Sequence, residues 1–441
     1  MYASSRDTIF ALASGLGKSA VGVFRISGPA CSAALAAVAP GAKFPARRTV
    51  LRTVRHPRTL EPIDRALITR FEAPSSFTGE EVVELSVTGG RAVISATARA
   101  LAIVPGLRPA EPGEFAWRAF VNGKLDLSEV EGLADLVDAE TEAQRRQAQR
   151  IAGGALRREC EAIRATLISA MAMIEAQIDF SDVEDAENLT LNTVKRAART
   201  ARDRIDRALA GANAAERLRE GFVVVIAGPP NVGKSTLMNA LAGRDVAITS
   251  PFAGTTRDLI EVLLDLRGYP VVLVDTAGIR EAEDPVEREG VNRALRRAKH
   301  ADLTLWLDDQ DGSLPPFAEG QALAVRTKID LPESRSASAR SPFAISAKTG
   351  EGVDKLLDAI GDLAEERLSS SEPAVLTLER HRQAFQEARE SLSSVLAPEA
   401  SEPELVAEDL RRSAAALDRV VGRIGVEDVL GEIFSRLCIG K

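Results

Sequence analysis

The sequence predicts a multidomain fold of α/β plus all-α type, and three patterns predict it. Short β-branched runs punctuated by Gly and Pro fill residues 1–120. Helical periodicity occupies 121–218 and returns over 371–441. Between them, over 219–370, strand-like apolar runs each end in a short polar loop. The economical arrangement is one discontinuous helical domain with an α/β unit inserted into it, because domains accept insertions at exposed loops where chain ends lie close together. A length of 441 residues allows two or three such domains.

In the N-terminal region the expected strands are 21–26, 66–72 and 82–87. In the last of these Val83, Leu85 and Val87 share one face, and Glu84 and Ser86 share the other. Ser128-Glu129-Val130-Glu131 reads as a capping box that opens a helix. Val130, Leu133, Ala134 and Val137 then fall at helical spacing. Gly153-Gly154 marks a break or kink. Leu156, Ile163, Leu167, Ile174 and Ile178 continue the apolar stripe, most simply as the core of a bundle. An Arg- and Ala-rich run follows over 194–218. After the polar stretch Ser369-Ser370-Ser371-Glu372-Pro373, the last stripe is Leu410, Leu417, Val421, Ile424, Leu430, Ile433 and Leu437.

The middle region carries the chemistry. Gly228-Pro229-Pro230-Asn231-Val232-Gly233-Lys234-Ser235 fits G-x-x-x-x-G-K-[ST] at every fixed position. It follows the apolar run 222–226 and opens the helix-like segment 236–241, the strand–loop–helix setting that a phosphate-binding loop requires. From Asn231, Val232 and Gly233 into Thr236, backbone N–H groups point inward and cradle a β-phosphate. Lys234 supplies a point charge across the β- and γ-phosphates, and the Ser235 hydroxyl is placed to ligate magnesium. A second glycine-rich stretch, Gly15-Leu16-Gly17-Lys18-Ser19, has Leu12 where the pattern needs Gly. It is followed by a strand rather than a helix, so it is rejected as a nucleotide site.

Downstream elements in fixed order point to guanine and to a Ras-like P-loop G domain. Gly254-Thr255-Thr256-Arg257-Asp258 can close over magnesium through Thr256. Asp275-Thr276-Ala277-Gly278 follows the run 270–274 as a D-x-x-G element. Thr327-Lys328-Ile329-Asp330 follows 322–326, and Ser346-Ala347-Lys348 follows 342–345. One carboxylate, Asp330, can accept from both guanine N1–H and the exocyclic amine. Adenine would leave it unsatisfied, which is costly in a buried site. The usual form of this element is N-K-x-D. Thr327 keeps a hydroxyl but loses the amide that braces the loop, which bears on nucleotide affinity and much less on the choice of guanine.

Ile279 stands where Ras-type GTPases carry a water-orienting Gln, and it cannot hydrogen-bond water. Two readings are open: a slow switch that needs an outside activator, or a carboxylate from the acidic run Glu281, Glu283, Asp284, Glu287 and Glu289. Arg257 and Arg280 are candidates for positive charge at the γ-phosphate. A monovalent cation held by Asn231 is another source of that charge.

Composition narrows the class. Apolar residues make up 45% and charged residues 27%, as in ordinary soluble proteins, and the net charge of −8 argues against gripping nucleic acid through the overall field. Basic clusters such as Arg145-Arg146 with Arg150 read as solvated helix faces. Cys31, Cys160 and Cys438 are far apart, and His56, His300 and His381 stand alone, so neither zinc nor disulfides are expected and a reducing compartment fits. The start of the chain lacks a signal-peptide pattern, and the longest uncharged run, 26–42, is too short and too broken to span a bilayer. A cytoplasmic protein without membrane contact is expected.

Four blocks carry a family resemblance over the whole chain: D-T-I-F-A with V-G-V-F-R-I-S-G (7–11, 21–28), F-T-G-E-E-V-V-E-L (77–85), P-G-E-F-A-W-R-A-F-V-N-G-K-L-D-L (112–127), and the terminal C-I-G-K (438–441). With G-T-T-R-D and D-T-A-G-I-R, the sequence resembles the MnmE (TrmE) family of tRNA-modification GTPases. The resemblance implies an N-terminal tetrahydrofolate-binding and dimerisation domain (1–120), a helical domain in two parts (121–218 and 371–441) and an inserted G domain (219–370). It implies a homodimer working with a flavin-dependent MnmG/GidA-type partner, in a heterotetramer or larger. Together they place an aminomethyl or carboxymethylaminomethyl group on C5 of the wobble uridine of certain tRNAs, using a 5-formyl- or 5,10-methylene-tetrahydrofolate. It also implies folate contacts at Arg25, Glu84, Lys124 and Lys441. Potassium ligands follow at Asn231, Ser250, Phe252 and Thr255, and the water-orienting carboxylate falls on Glu287. Such G domains become active by pairing face to face, which fits the absence of a Gln at 279. Catalytic roles are expected for Lys234, Glu287, Arg280 and, as a nucleophile or merely a small apolar residue, Cys438. The alternative is a GTP-switched ribosome or RNA assembly factor. Such a factor needs neither a folate pocket nor the terminal C-I-G-K.

Overall fold

The computed structural model describes residues 7–15, 17–179, 187–248, 261–275, 301–309, 321–331, 343–369, 374–398 and 402–424. Near the C-terminus it also describes 430, 433–434, 437 and 440. The chain divides into two compact units, one made of Met1–Ala134, Ala152–Ala162 and Ala414–Lys441, the other of Asp135–Ile151 and Ile163–Ser413.

The first unit is built on a six-stranded sheet of β1 (Thr8–Leu12), β2 (Val21–Ser27), β3 (Val50–Arg55), β4 (Pro62–Phe71), β5 (Val82–Thr88) and β6 (Leu107–Pro109), in the order β3-β4-β5-β2-β1-β6. All neighbours are antiparallel except β1 and β6. The period-two pattern decides what each face meets. Phe24, Ile26, Val83, Leu85 and Val87 turn into a core shared with α1 (Cys31–Val38) and with Leu101 of α2 (Arg91–Ala102). Arg25 and Glu84, directly opposite in register, turn to the other face. β4 starts at Pro62, four residues before the sequence pattern suggests. Its first residues pair with β3, whose Arg and Thr content hides its strand character.

The face that carries Arg25 is pinned by α3 (Glu114–Val121) through a buried ion network. The Arg118 guanidinium is almost fully buried; Nη1 donates to the Asp7 carbonyl at 2.8 Å and to Glu80 Oε2 at 3.0 Å, and Nη2 to Glu114 Oε1 at 3.1 Å. Arg108 clamps the same Glu114 with bonds of 2.6 and 2.8 Å. The Ser27 hydroxyl adds a 2.6 Å bond to Glu80. One buried cation thereby ties α3 to β1, β2 and the loop before β5.

The next helix, α4 (Leu127–Asp138), corrects the expected cap. The reciprocal bonds belong to Asp126 and Glu129: Asp126 Oδ1 accepts from the Glu129 amide at 2.8 Å, and Glu129 Oε2 accepts from the Asp126 amide at 2.9 Å. Ser128 donates to Asp126 at 2.7 Å instead of capping. Asp is as good an N-cap as Ser, and Glu129 stands three residues beyond Asp126 just as Glu131 does beyond Ser128. α5 (Glu142–Ala152) and α6 (Ala155–Asp179) are separated at Gly153-Gly154, as the sequence suggests; Gly154 has φ +78°. The Arg- and Ala-rich run forms α7 (Glu187–Ala210) and α8 (Ala212–Glu220).

The second unit holds a six-stranded sheet of β7 (Phe222–Ala227), β8 (Glu261–Leu266), β9 (Tyr269–Asp275), β10 (Leu303–Asp308), β11 (Ala322–Arg326) and β12 (Phe343–Ala344). Its order is β12-β11-β10-β7-β9-β8, parallel except for β8. β7 is apolar along its whole length because both faces are covered. Phe222, Val224 and Ile226 join a core with α9 (Lys234–Ala242) and α10 (Val353–Leu368), while Val223 and Val225 pack with Val272 and Val274 on the other side. Helices α11 (Glu379–Val395) and α12 (Pro403–Val421) complete the described elements. Ile424, expected on the last apolar stripe, is 46% exposed beyond Gly422, where φ of +80° takes the chain out of the helix. Among the described residues no helix is long and apolar enough to cross a membrane.

Burial opposes ionisation of Glu114, but hydrogen bonds from Arg108, the Glu111 amide and Arg118 outweigh it and hold its carboxyl below the usual range. Glu114→Gln should therefore cost about 3 kcal/mol or more, because two arginines lose their shared counter-charge. A lower urea midpoint reads this out. The stabilisation is complete above the ordinary carboxylate range and fades as pH falls through the depressed native value, so the gap to wild type should narrow on acidification. A gap that is constant down to pH 3 would contradict the ion-pair account.

Candidate functional site

The nucleotide-binding elements collect at the carboxyl ends of the parallel strands of the second unit. β7 lies between β9 and β10, and the chain turns from one side of it to the other. That is the place where open α/β sheets leave a crevice. The loop after β7 is shaped by backbone alone at its start. Gly228 has φ +147°, and a Cβ there would lie 2.3 Å from the Leu307 carbonyl oxygen of β10. Only glycine allows so close an approach. Asn231 and Gly233 are also left-handed, at φ +64° and +106°, which turns the loop back over the start of α9.

Lys234 Nζ donates to the carbonyls of Gly228 and Pro229, each at 2.9 Å, so its ammonium spans the loop it belongs to. The Ser235 hydroxyl donates to Asp275 Oδ2 at 3.1 Å, which brings together the phosphate loop and the D-x-x-G element. Asp275 is buried at the end of β9, while Asn231, Ser235 and Thr236 are exposed. A hydroxyl 3.1 Å from a carboxylate, beside a ring of loop amides, is the donor set that a hard divalent cation with phosphate takes.

The element expected to read the base is joined to this loop by a bond that has no signal in the sequence. Thr327 Oγ1 donates to the Val232 carbonyl at 2.8 Å. The hydroxyl therefore does the bracing for which an amide is expected, because Thr327 is buried close enough to the loop for a shorter side chain to reach. Lys328, left-handed at φ +58°, pairs with Asp309 at 2.8 Å. Asp309 is a residue no motif signals; its only mark is a second Asp at the end of β10. Asp330 lies half-buried in the turn after β11. Ser346 is fully buried, and its Oγ accepts from the Thr349 amide at 3.1 Å, with Ala347 half-buried and Lys348 exposed beside it. Ser250, Phe252, Thr255, Thr256, Thr276, Ala277, Gly278, Arg280 and Glu287 lie outside the described residues, as do Arg257, Ile279 and the acidic run.

The first unit contains a second cluster. Arg25 bonds Glu84 Oε1 through Nη2 at 3.0 Å and through Nε at 3.1 Å, so the two expected folate contacts form one charged pair. The Arg25 guanidinium also lies 5.1 Å from the ring centre of Phe77 and 5.9 Å from that of Phe115. Its Nη1 donates to the Gly440 carbonyl at 3.4 Å, which brings the penultimate residue of the chain to this cluster. Lys124 is exposed and borders the turn at Gly79, two residues beyond Phe77. Phe77 and Phe115 belong to motif blocks, but nothing in their spacing signals that they flank Arg25. Cys438 and Lys441 lie outside the described residues. The described thiols are buried: burial, aided by Glu81 and Glu80, pushes Cys31 up to about 12, and burial also raises Cys160, so neither is a nucleophile. The rejected stretch near residue 17 runs into strand β2, with the Ser19 hydroxyl bonded to the Val21 carbonyl at 2.9 Å.

Comparison with known proteins gives two family matches. Residues 127–438 match the MnmE helical domain, and residues 8–124 match the GTP-binding protein TrmE N-terminus. The tRNA modification GTPase MnmE of Methylobacterium sp. (strain 4-46) is 52% identical over 438 residues, covering 99% of this chain and 100% of its own. That of Bradyrhizobium sp. (strain ORS 278) is 50% identical over 441 residues, covering 99% of each. Among solved structures, a variant of Era from Aquifex aeolicus bound to GDP.AlF4- is 26% identical over 39% of this chain and 66% of its own, with a TM-score of 0.23, too low to bear on the fold.

Removing the Thr327 hydroxyl should loosen the nucleotide loop. Thr327→Val is expected to weaken GDP and GTP binding about tenfold, the effect of about 1.4 kcal/mol for a lost buried hydrogen bond. Thr327→Asn should restore affinity by offering its amide to the same carbonyl. Titration with a fluorescent guanine nucleotide measures both, and equal affinity in all three proteins would refute the brace.

Proposed function

The chain belongs to the MnmE family of tRNA-modification GTPases, and on that premise we propose that it couples GTP hydrolysis to one-carbon transfer onto C5 of the wobble uridine of certain tRNAs. The observation that carries the GTPase part is the convergence of Lys234, Ser235, Asp275 and Thr327 on one loop at the carboxyl ends of β7, β9 and β11. In this reading the loop amides and Lys234 hold the β- and γ-phosphates, Ser235 with Thr256 holds magnesium, and Asp330 reads guanine. Val232, Gly233, Thr236, Thr276, Ala277, Gly278, Lys328, Ser346, Ala347 and Lys348 line the nucleotide.

Hydrolysis needs a group to orient water and a positive charge where the β–γ bond breaks. Glu287 takes the first role. Potassium bound by Asn231, Ser250, Phe252 and Thr255 takes the second, with Arg280 as an auxiliary, and pairing of two G domains assembles the site. The exposure of Asn231 at the rim of the loop supports this reading.

The one-carbon unit comes from a tetrahydrofolate derivative held by Arg25, Glu84, Lys124 and Lys441. The support is chemical. Glu84 can accept from the N–H donors of a fused heteroaromatic ring, and the half-buried phenyl ring of Phe77 beside Arg25 suits such a ring. Lys124 and Lys441 suit an anionic tail. Cys438 is the candidate nucleophile near it. The protein acts in the cytoplasm as a homodimer, with a flavin-dependent MnmG/GidA-type partner in a heterotetramer or larger.

Cells that lack this chain should have wobble uridines without the aminomethyl-type groups, and mass spectrometry of tRNA nucleosides reads this directly. Fully decorated wobble uridines in such cells would overturn the reading. In the purified protein, GTP turnover should rise several-fold when potassium replaces sodium, and Glu287→Ala should lower turnover while sparing GTP affinity. Indifference to the cation would remove Asn231 from the mechanism, and an equal loss of affinity would make Glu287 structural.

A further inference from the structure

The hairpin β3–β4 at the edge of the first sheet has a charge balance unlike that of the rest of the chain. Residues 43–70 contain eight Lys and Arg against two Asp and Glu, in a protein whose net charge is −8. Elsewhere arginines are commonly matched with carboxylates: Arg118 with Glu114 and Glu80, Arg157 with Glu129, Arg219 with Asp135, Arg411 with Glu175. On the hairpin, Arg47, Arg48, Arg52, Arg55, Arg58 and Arg65 have no ion-pair partner among the described residues. Five of the six are exposed, and Arg55 is half-buried. Among the described residues, the side chains of Arg47, Arg52 and Arg55 hydrogen-bond to backbone carbonyls, those of Ser75, Leu51 and Leu60, and Arg47 also lies 5.8 Å from the ring centre of Phe71. The two acids are engaged otherwise: Asp64 accepts from the Thr88 amide at 2.6 Å, and Glu61 from the Thr59 hydroxyl at 3.4 Å.

The strand register spreads these charges over a surface. Thr53 lies opposite Arg65, and Leu51 opposite Leu67, while the hydroxyls of Thr49 and Thr69 lie 2.9 Å apart. Leu51 and Leu67 are 44% and 48% exposed, so this face is open. Guarding a free sheet edge against other strands needs only one or two charges. Six unmatched guanidinium groups beside exposed threonine hydroxyls are instead the donor set that phosphate oxygens take.

We propose that the β3–β4 hairpin is a docking surface for the sugar–phosphate backbone of RNA. The inference rests on the tRNA reading above and deepens it by naming where the substrate is gripped. The net negative charge of the protein then works in its favour: the field repels RNA except at this patch, so the polyanion is oriented as well as held. Contacts of this kind carry no base sequence, which leaves the choice of tRNA to other groups.

The test uses the full chain and an unmodified tRNA transcript, with affinity measured across a series of salt concentrations. The triple variant Arg48→Gln, Arg58→Gln, Arg65→Gln changes side chains that make no ion pair. It should bind tRNA at least about tenfold more weakly near 0.1 M salt, with the slope of log affinity against log salt reduced by about two to three. Its GTP turnover should match wild type, which also reports correct folding. The corresponding Lys triple variant should keep the slope within about one unit. Unchanged tRNA affinity in the Gln variant would overturn the proposal, as would equal losses in the Lys and Gln variants. A Gln variant that alters only the oligomeric state would mark the hairpin as a contact between copies instead. A wild-type protein that binds no tRNA would remove both this inference and the reading on which it rests.

Discussion

The nucleotide site hangs from one constraint: β7 is covered on both faces and hydrogen-bonded to a strand on each edge. A strand so enclosed must be apolar throughout, and it has no freedom to shift. Phe222, Val224 and Ile226 are fixed by one core, and Val223 and Val225 by another. The loop after it begins at a fixed point with Gly228 pressed against the Leu307 carbonyl. Every polar group that matters is placed relative to that point. Asp275 arrives on the neighbouring β9, and Thr327 at the end of β11, two strands away on the other side. The rigidity of an apolar sheet is what lets short side chains meet at 2.8 to 3.1 Å.

The first unit solves a different problem by different means. Its polar face presents charged side chains on strands that are themselves paired on both edges. Ionic clamps hold those side chains. Arg118 is surrounded by acceptors from three parts of the chain, and the Arg25–Glu84 pair sits against two phenyl rings on the same side of the sheet. A buried guanidinium stripped of its partners is severely penalised, so the arrangement tolerates little variation.

Much of the nucleotide site is legible in the sequence because its chemistry demands residue types at fixed spacing. G-x-x-x-x-G-K-S, the Asp at the end of β9 and the Ser after β12 each follow an apolar run, and each run belongs to a strand. Local signals that compete are less legible. Asp126 and Ser128 are both good caps, and each has a Glu three residues on, so the local pattern does not choose between them; the structure closes the box at Asp126 and Glu129. Long-range bonds are not legible at all. Nothing in the order of residues says that the Thr327 hydroxyl reaches the carbonyl of Val232, nor that Phe77 and Phe115 flank Arg25. β3 escapes notice because Arg and Thr interrupt its apolar residues. Its partner β4 holds it in place through the ladder instead.

The carbonyl of Phe434 lies where a side chain on Gly113 would be, and the Gly440 carbonyl receives a bond from Arg25. Phe434 and Leu437 also pack with Leu127 and Val130. Residues near 434–440 are therefore structural parts of the unit whose sheet is synthesised earlier in the chain. At translation rates of about 5–20 residues per second, the opening sheet stands without them for on the order of tens of seconds. The second unit, continuous over most of its length, can finish in that interval. The sheet of the first unit is thus synthesised before the second unit and completed after it, and its polar face acquires its final shape only once Gly440 is in place.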